Sequence, residues 1–159
     1  MKKLFVLIYT AIVTTAASAQ SILTIKFDDF IAMSTKQNDT IYVFNFWATW
    51  CKPCIEELPS FEAANATYTA DKVKVILISL DFKKQLASVE KFKSDKQLKS
   101  TVYLLDEVNY NSWIDRVDST WTGAIPATVI INNRNHYRKF YEQSFNTKQL
   151  QEAIEASKK

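Results

Sequence analysis

The sequence predicts an α/β fold in which helices flank a central mixed β-sheet. Strand-like and helix-like patterns alternate along most of the chain, which is typical of parallel strands joined by crossover helices. The last two strand-like segments are separated only by the turn residues of 132–135, so an antiparallel hairpin is expected to close the sheet. Both strand directions are therefore expected in one sheet.

Six segments are rich in the β-branched and aromatic residues typical of strands. Segment 40–46 is apolar nearly throughout, which indicates a central strand buried on both faces. The predicted strands are 22–25, 40–46, 73–80, 101–105, 127–131 and 137–141.

Helical patterns fill the intervals between these strands. Asp28 is expected to cap a brief first helix. The second helix should start near Cys51 and run to about Thr69, with a kink at Pro59 because proline lacks an N–H. At the C-terminus, Asn146 and Gln149 have the spacing of a capping box. Two further helices are predicted from the apolar spacing of Phe82, Leu86, Val89 and Phe92, and of Tyr110, Trp113, Ile114 and Val117.

The first nineteen residues have the pattern of a signal peptide. Lys2 and Lys3 precede an apolar run over 4–17, and residues 17–19 form a small-x-small cleavage site. A run of about 14 residues is short for a membrane span, and an uncleaved anchor is the alternative. Either arrangement predicts export to the periplasm or outside the cell, with one domain over 20–159.

Charge and composition exclude some partners. The formal net charge is +3, and it falls to +1 without residues 1–19, since two lysines leave 18 basic against 17 acidic residues. This balance makes no case for nucleic acid binding. The single glycine, Gly123, implies that other turns rely on Asn and Asp.

Both cysteines of the chain, Cys51 and Cys54, lie where a predicted strand meets a predicted helix. A helix N-terminus carries unpaired N–H groups and a partial positive charge, which stabilise a thiolate at Cys51. Lys52 adds a cation, and Pro53 fits the first helical turn. The two-residue spacing lets the pair close a disulfide, so thiol–disulfide exchange is the predicted chemistry.

Glu57 lies one helical turn beyond Cys54, on roughly the same face. If it is partly buried, its carboxylate can accept the proton of Cys54 when that thiol attacks. A solvated helix residue beside Glu56 is the other interpretation of the spacing.

Three other kinds of protein fit the sequence less well. A structural zinc site needs four ligands, and beyond the two cysteines the chain has a single histidine, His136, near the predicted hairpin turn. A thiol peroxidase normally has Thr-x-x-Cys, whereas Thr49 is only two residues before Cys51. A binding module without turnover would not need both thiols.

Segment 46–54, Phe-Trp-Ala-Thr-Trp-Cys-Lys-Pro-Cys, followed by Glu57-Leu58-Pro59, resembles exported thioredoxin-like proteins of the TlpA/ResA group. The resemblance covers nearly all of 22–157 and includes Gly-Ala-Ile-Pro-Ala-Thr at 123–128. It implies a thioredoxin-like sandwich in which a cis-proline loop at Pro126 faces the N-terminus of the Cys-x-x-Cys helix. The backbone of Ile125 would then pair with the substrate. Asn45 replaces the buried acid of cytosolic thioredoxins, which favours Glu57 as the proton relay.

This resemblance also implies the activity and its partners. Cys51 is expected to attack disulfides of exported proteins and Cys54 to resolve the mixed disulfide. The expected substrate contacts are Trp50, Lys52, Pro53, Ile125 and Pro126. Trp121 is expected to line the same face because it precedes the proline loop. No cofactor is expected besides the Cys51–Cys54 disulfide, and no metal. A membrane electron donor would restore the dithiol. A dithiol oxidant and a non-catalytic binding module are the alternatives. Segment 21–39 is too short for the N-terminal hairpin of the group, so a role in cytochrome maturation is not inferred.

Overall fold

A computed structural model describes residues 21–159, and the predicted signal peptide over 1–19 lies outside this range. In the described part of the chain, six strands form one sheet in the order β1-β4-β3-β2-β5-β6. The first four in this order run parallel, and β5 and β6 are antiparallel to their neighbours. The predicted mixed sheet is therefore confirmed. The strands are β1 (Leu23–Ile25), β2 (Ile41–Trp47), β3 (Val73–Ser79), β4 (Thr101–Leu105), β5 (Ala127–Asn132) and β6 (Tyr137–Tyr141).

Helices cover both faces of the sheet. Those over 21–159 are α1 (Phe27–Ser34), α2 (Lys52–Thr67), α3 (Leu86–Asp95), α4 (Ile114–Val117) and α5 (Thr147–Ala156), with short 3₁₀ turns at Thr69–Asp71, Lys83–Gln85 and Tyr110–Ser112. Pro59 lies inside α2, as predicted. Within that same range, no helix is long and apolar enough to cross a membrane.

The hydrophobic core has two halves because the side chains of each strand alternate between the faces. On β2, Val43 and Trp47 face the half that α2, α3 and α5 cover, whereas Phe44 and Phe46 face the half that α1 and α4 cover. All seven residues of β2 are buried, as expected for a central strand. Asn45 lies on the same face as Val43 and is the polar exception in this strand.

The helix starts follow from capping side chains, with one correction. Asn146 accepts a hydrogen bond from the N–H of Gln149, and the Gln149 side chain accepts one from the N–H of Asn146, so the predicted capping box of α5 is confirmed. The prediction that Asp28 caps α1 is wrong. Lys26 is the N-cap and has no side-chain capping hydrogen bond, and Asp29, three positions on, accepts a hydrogen bond from the N–H of Lys26 at 2.8 Å.

The prediction that Phe82 belongs to the third helix is also wrong. Helix α3 begins at Leu86, and Phe82 precedes the 3₁₀ turn with an extended backbone. The Gln85 side chain accepts a hydrogen bond from the N–H of Phe82 at 3.1 Å, which fixes the chain before the helix. The Phe82 ring consequently stays out of the core and is exposed.

Turns over 21–159 do rely on Asn and Asp, as predicted, but through side chains that accept the N–H two residues on, as at Asp118 and Asn132, and not through left-handed conformations. Apart from Gly123, with a φ of 93°, the residues of 21–159 with positive φ are Lys72, Gln97 and His136. Left-handed conformations of such residues are uncommon but allowed in turns. The neighbouring Asn residues contribute side-chain hydrogen bonds instead, as when Asn133 donates to the carbonyl of Ser34.

Candidate active site

The two cysteines lie at the junction of β2 and α2. Cys51 is the N-cap of α2 and forms a disulfide with Cys54, and both are buried. The N–H of Cys54 points at Cys51 Sγ at 3.3 Å. In the reduced protein, this N–H and the positive end of α2 would stabilise a thiolate on Cys51. The junction thus favours Cys51 as the attacking sulfur.

The loop before β5 packs against this disulfide. Cys51 Sγ lies 3.7 Å from the carbonyl oxygen of Ile125, and the Ile125–Pro126 peptide bond is cis. A disulfide sulfur carries no proton, so this is a packing contact. Pro126 is buried and Ile125 is half-buried. The loop therefore forms one wall beside the small exposed part of Cys51.

Glu57 is a buried acid on α2, with only 3% of its surface exposed. Its carboxylate accepts hydrogen bonds from the Asn45 side-chain amide at 2.7 Å and from the N–H of Phe145 at 2.8 Å. Burial raises its pKa to about 7, against the lowering effect of these two hydrogen bonds. The interpretation of Glu57 as a solvated helix residue is wrong, because Glu56 is the exposed member of the pair.

Asn45 connects Glu57 to the strand that follows the Pro126 loop. Its amide nitrogen also donates to Thr128 Oγ1 at 3.2 Å, and its Oδ1 is buried without a hydrogen-bond partner. Sequence reasoning singled out Asn45 and Glu57 but missed Thr128 and the backbone of Phe145. These two contacts join residues 83 and 88 positions apart, and no local pattern encodes such pairs.

The turn that carries Trp50 is held by Asp81, which sequence reasoning missed. This buried carboxylate accepts hydrogen bonds from the N–H of Thr49 at 2.9 Å and the hydroxyl of Thr49 at 2.6 Å. It also accepts one from the hydroxyl of Ser79 at 2.7 Å. The sequence pattern that could have indicated Asp81 is its position just after a predicted buried strand, the one that follows the Cys-x-x-Cys segment along the chain.

A second missed carboxylate, Glu142, holds the loop that precedes Pro126. It accepts hydrogen bonds from the N–H of Thr122 at 3.2 Å, the N–H of Ala124 at 3.0 Å and the hydroxyl of Thr122. Partial burial acts to raise the pKa of Glu142, but the three hydrogen bonds together outweigh it, so the pKa is lowered. The carboxylate form is thereby favoured, and it fixes the loop.

The expectation that Trp121 lines the exposed face is wrong. Its ring is buried against Phe46 and Phe140, with centroids 4.9 and 5.6 Å away. Its indole N–H donates to the carbonyl of Ala124 at 2.8 Å. Trp121 therefore supports the loop from the core side.

The other predicted substrate contacts are on the surface. Trp50, Lys52 and Pro53 are exposed, and Lys52 Nζ lies 3.8 Å from the carboxylate of Glu56. The structure thus places Trp50, Lys52 and Pro53 on the Cys51 side of the site and the Ile125–Pro126 loop against Cys51 itself. Over 21–159, no group of three or more His, Cys, Asp or Glu side chains is placed to hold a metal ion.

Comparison with known proteins connects this geometry to a family. Residues 14–139 match the AhpC/TSA family. The chain belongs to the AhpC/TSA family. Among the relatives of this AhpC/TSA protein is the thioredoxin-like protein YneN of Bacillus subtilis, which is 27% identical over 71% of this chain and 62% of the relative. The thiol-disulfide oxidoreductase ResA of Geobacillus thermodenitrificans is 25% identical over 72% of this chain and 61% of the relative. The chain therefore spans about three fifths of the length of these relatives.

Solved structures give the same result for the fold of this AhpC/TSA protein. A thioredoxin-related protein from Neisseria meningitidis serogroup B superposes with a TM-score of 0.67 and 22% identity, covering 77% of this chain and 88% of the other. The predicted thioredoxin-like fold is confirmed, and so is the resemblance to ResA-type proteins.

Proposed function

We propose that this protein is a thiol–disulfide oxidoreductase that reduces disulfides of exported proteins. The observation that carries the proposal is the Cys51–Cys54 disulfide at the N-terminus of α2, packed at 3.7 Å against the carbonyl of Ile125. A two-electron reduction opens a disulfide at a helix start to a dithiol, and the helix N-terminus makes its first sulfur reactive. The relatives named ResA are thiol-disulfide oxidoreductases, which supports the same reaction class here.

In the first step, the thiolate of Cys51 attacks one sulfur of the substrate disulfide. A mixed disulfide forms, the substrate S–S bond breaks, and the released substrate thiolate takes up a proton from solvent. In the second step, Cys54 attacks Cys51 Sγ. The Cys51–Cys54 disulfide forms, and the second substrate sulfur leaves as a thiol once protonated. The protein loses two electrons and the substrate gains them.

Glu57 is the proposed acceptor for the proton of Cys54. Its place one turn after Cys54 and its pKa of about 7 suit a group that exchanges protons near neutral pH. Asn45 and the N–H of Phe145 would orient its carboxylate. Trp50, Lys52, Pro53 and the Ile125–Pro126 loop are the proposed substrate contacts.

The proposed compartment is the periplasm or the exterior, because residues 1–19 have the pattern of a signal peptide. Disulfides persist in such compartments. The oxidised protein then needs a thiol-bearing membrane protein to return it to the dithiol form. Cell fractionation of the full chain tests this: a protein confined to the cytosol would contradict export.

Reduction of insulin tests the activity itself. The wild-type dithiol should reduce insulin with dithiothreitol as the electron source, and Cys51→Ser should not exceed the rate of dithiothreitol alone. Equal rates for the two proteins would contradict the proposal.

The direction of transfer is tested by the reduction potential, measured by equilibration against glutathione or dithiothreitol. A value near that of thioredoxin, about −270 mV, is expected for a reductant. A value near that of DsbA, about −120 mV, would make the protein a dithiol oxidant instead.

A further inference from the structure

Among residues 21–159, four large hydrophobic side chains are exposed, each with 50% or more of its surface open to solvent: Leu23, Trp50, Phe82 and Val108. Three of them follow the carboxyl ends of the adjacent parallel strands β2, β3 and β4. Carboxyl ends of parallel strands share one edge of a sheet, so Trp50, Phe82 and Val108 lie along the edge that also carries Cys51. We call these three residues the apolar row.

Side-chain contacts tie the segments of the apolar row together. Thr49, just before Trp50, is hydrogen-bonded to Asp81, just before Phe82. Lys83, just after Phe82, pairs with Asp106 at 3.3 Å, two residues before Val108. The row is therefore built on three loops that are bonded to one another.

Charged side chains surround the apolar row. Asp106, between Phe82 and Val108, pairs with both Lys26 and Lys83, at 3.1 and 3.3 Å, and Lys84 Nζ lies 5.8 Å from the centre of the Phe82 ring. The acid is thus paired within the protein, and the exposed ammonium groups form a polar rim around the row. Neighbouring exposed apolar side chains with a polar rim are the pattern that marks an interaction site.

We propose that the apolar row is a docking surface for apolar residues that flank the disulfide of a protein substrate. Only 6% of the surface of Cys51 is exposed. A substrate disulfide must therefore approach Cys51 Sγ closely, and the residues that flank this disulfide then contact the protein surface around Cys51. Adjacent strands are about 4.8 Å apart, so the loop after β4 lies roughly 10 Å from the loop after β2. An extended chain advances about 3.3 Å per residue, so three or four residues beside the substrate cysteine span the row.

This surface lies on the β3 side of Cys51, whereas the Ile125–Pro126 loop lies on the β5 side, because β2 has β3 and β5 as its two neighbours. The row therefore adds a second binding area to the proposed site. It would make the protein select disulfides in exposed or unfolded apolar segments over those in polar ones. The inference rests on the proposed reductase function.

Two synthetic peptides, each closed by one intramolecular disulfide, test the docking surface. One carries Leu and Phe beside its cysteines, and the other carries Ser and Asn in the same places. The reduced full chain is mixed with each peptide, and the ratio of the two second-order rate constants is measured for every variant. Taking this ratio within one variant cancels changes in the reactivity of the cysteines.

Wild type should favour the apolar peptide by about fivefold or more, since covering even part of a Phe side chain gives that factor. The ratio should fall close to one in the double variant Phe82→Ser/Val108→Ser. Leu23→Ser is the matched control, because Leu23 is as exposed but lies on the edge strand β1, and it should keep the wild-type ratio. A wild-type ratio near one, or an unchanged ratio in the double variant, overturns the docking surface. Failure of the wild type to reduce either peptide overturns the proposed function as well.

Discussion

Glu57 has an environment very different from that of an ordinary surface acid. Its carboxylate is buried and is met by two donors, and burial still raises its pKa to about 7. A group with this pKa is part carboxylate and part carboxylic acid at neutral pH, so it can both take and return a proton. The value follows from desolvation, which outweighs the two hydrogen bonds.

Replacing Glu57 by Gln should remove the pH dependence of the resolving step. In the wild type, this step should quicken as the pH rises through about 7, because only the carboxylate accepts the Cys54 proton. Glu57→Gln should lack this inflection and be slower by on the order of a hundredfold above it. Rapid-quench measurement of the decay of the mixed disulfide with insulin follows the step. Glu56→Gln, on the exposed neighbour, should keep the inflection, and its persistence in Glu57→Gln would contradict the relay role.

Glu57→Gln should slow the resolving step, but it should also raise the stability relative to wild type as the pH increases. A carboxyl with a pKa raised from 4.5 to about 7 on folding binds its proton more tightly in the native state. The stability that this carboxyl contributes is greatest below about pH 4.5 and is lost as the pH rises to about 7. Relative to wild type, Glu57→Gln should therefore gain up to about 3 kcal/mol between roughly pH 4 and pH 8.

Urea unfolding of the oxidised proteins at both pH values measures this gain. Glu56→Gln serves again as control and should show a difference from wild type that does not depend on pH. A pH-independent difference for Glu57→Gln would mean that its carboxyl is not desolvated in the native state.

At the level of secondary-structure elements, two buried or half-buried carboxylates hold the two loops of the site. Asp81, after β3, accepts three hydrogen bonds and fixes the turn between β2 and α2. Glu142, after β6, accepts three from the loop between α4 and β5. These loops lie outside the helices and strands, so some of their N–H groups have no carbonyl partner. A carboxylate at the end of a neighbouring strand accepts hydrogen bonds from these N–H groups.

Asp81→Asn should destabilise the protein by about 1–3 kcal/mol, because three donors converge on the side chain and an amide offers a single acceptor oxygen. Thr49→Val removes one of these donors and leaves the backbone N–H bonded, so its cost should be smaller. Denaturant unfolding of both variants gives the comparison. An Asp81→Asn protein as stable as wild type would show that the turn does not depend on the carboxylate.

Glu142→Gln should loosen the loop before Pro126 without affecting the strands. Amide hydrogen exchange of Thr122 and Ala124 should become about tenfold faster, which corresponds to the loss of roughly one hydrogen bond. The amide of Val129 in β5 is the internal reference and should exchange at its original rate. Unchanged exchange at Ala124 would contradict the proposed hold of Glu142 on the loop.

For the molecule as a whole, the sheet order brings the functional segments to one edge. The carboxyl ends of β2, β3 and β4 lie there because these strands are parallel. The start of β5 lies there as well, since β5 runs antiparallel to β2 and Ala127 is paired with Phe46. The sheet topology thus explains why the cysteine pair, the proline loop and the apolar row lie at the same edge of the sheet.

Local patterns predicted most of this architecture. Strand β4 and the hairpin strand β6 match their predicted bounds, and the capping box of α5 is as expected. Phe82 was misassigned because a residue one turn before a helix has the same spacing as one inside it. Only the side chain of Gln85, which bonds the N–H of Phe82, distinguishes the two.

The site was predicted in part. Spacing and family resemblance indicated the cysteine pair, Glu57 and the Pro126 loop. Asp81 and Glu142 were missed because their partners lie 32 and up to 20 positions away, and only the folded sheet brings them together. Trp121 was misplaced for a related reason, since its sequence neighbours do not reveal the aromatic cluster that buries it.

Trapping of the mixed disulfide tests the central claim most directly. Reduced Cys54→Ser and Cys51→Ser proteins are mixed with insulin, and covalent adducts are measured by non-reducing mass spectrometry. Cys54→Ser should accumulate a stoichiometric adduct through Cys51, because the sulfur that resolves it is gone, and Cys51→Ser should form little or none. An adduct that forms equally on both variants, or on Cys54 alone, would contradict the assignment of Cys51 as the attacking thiol.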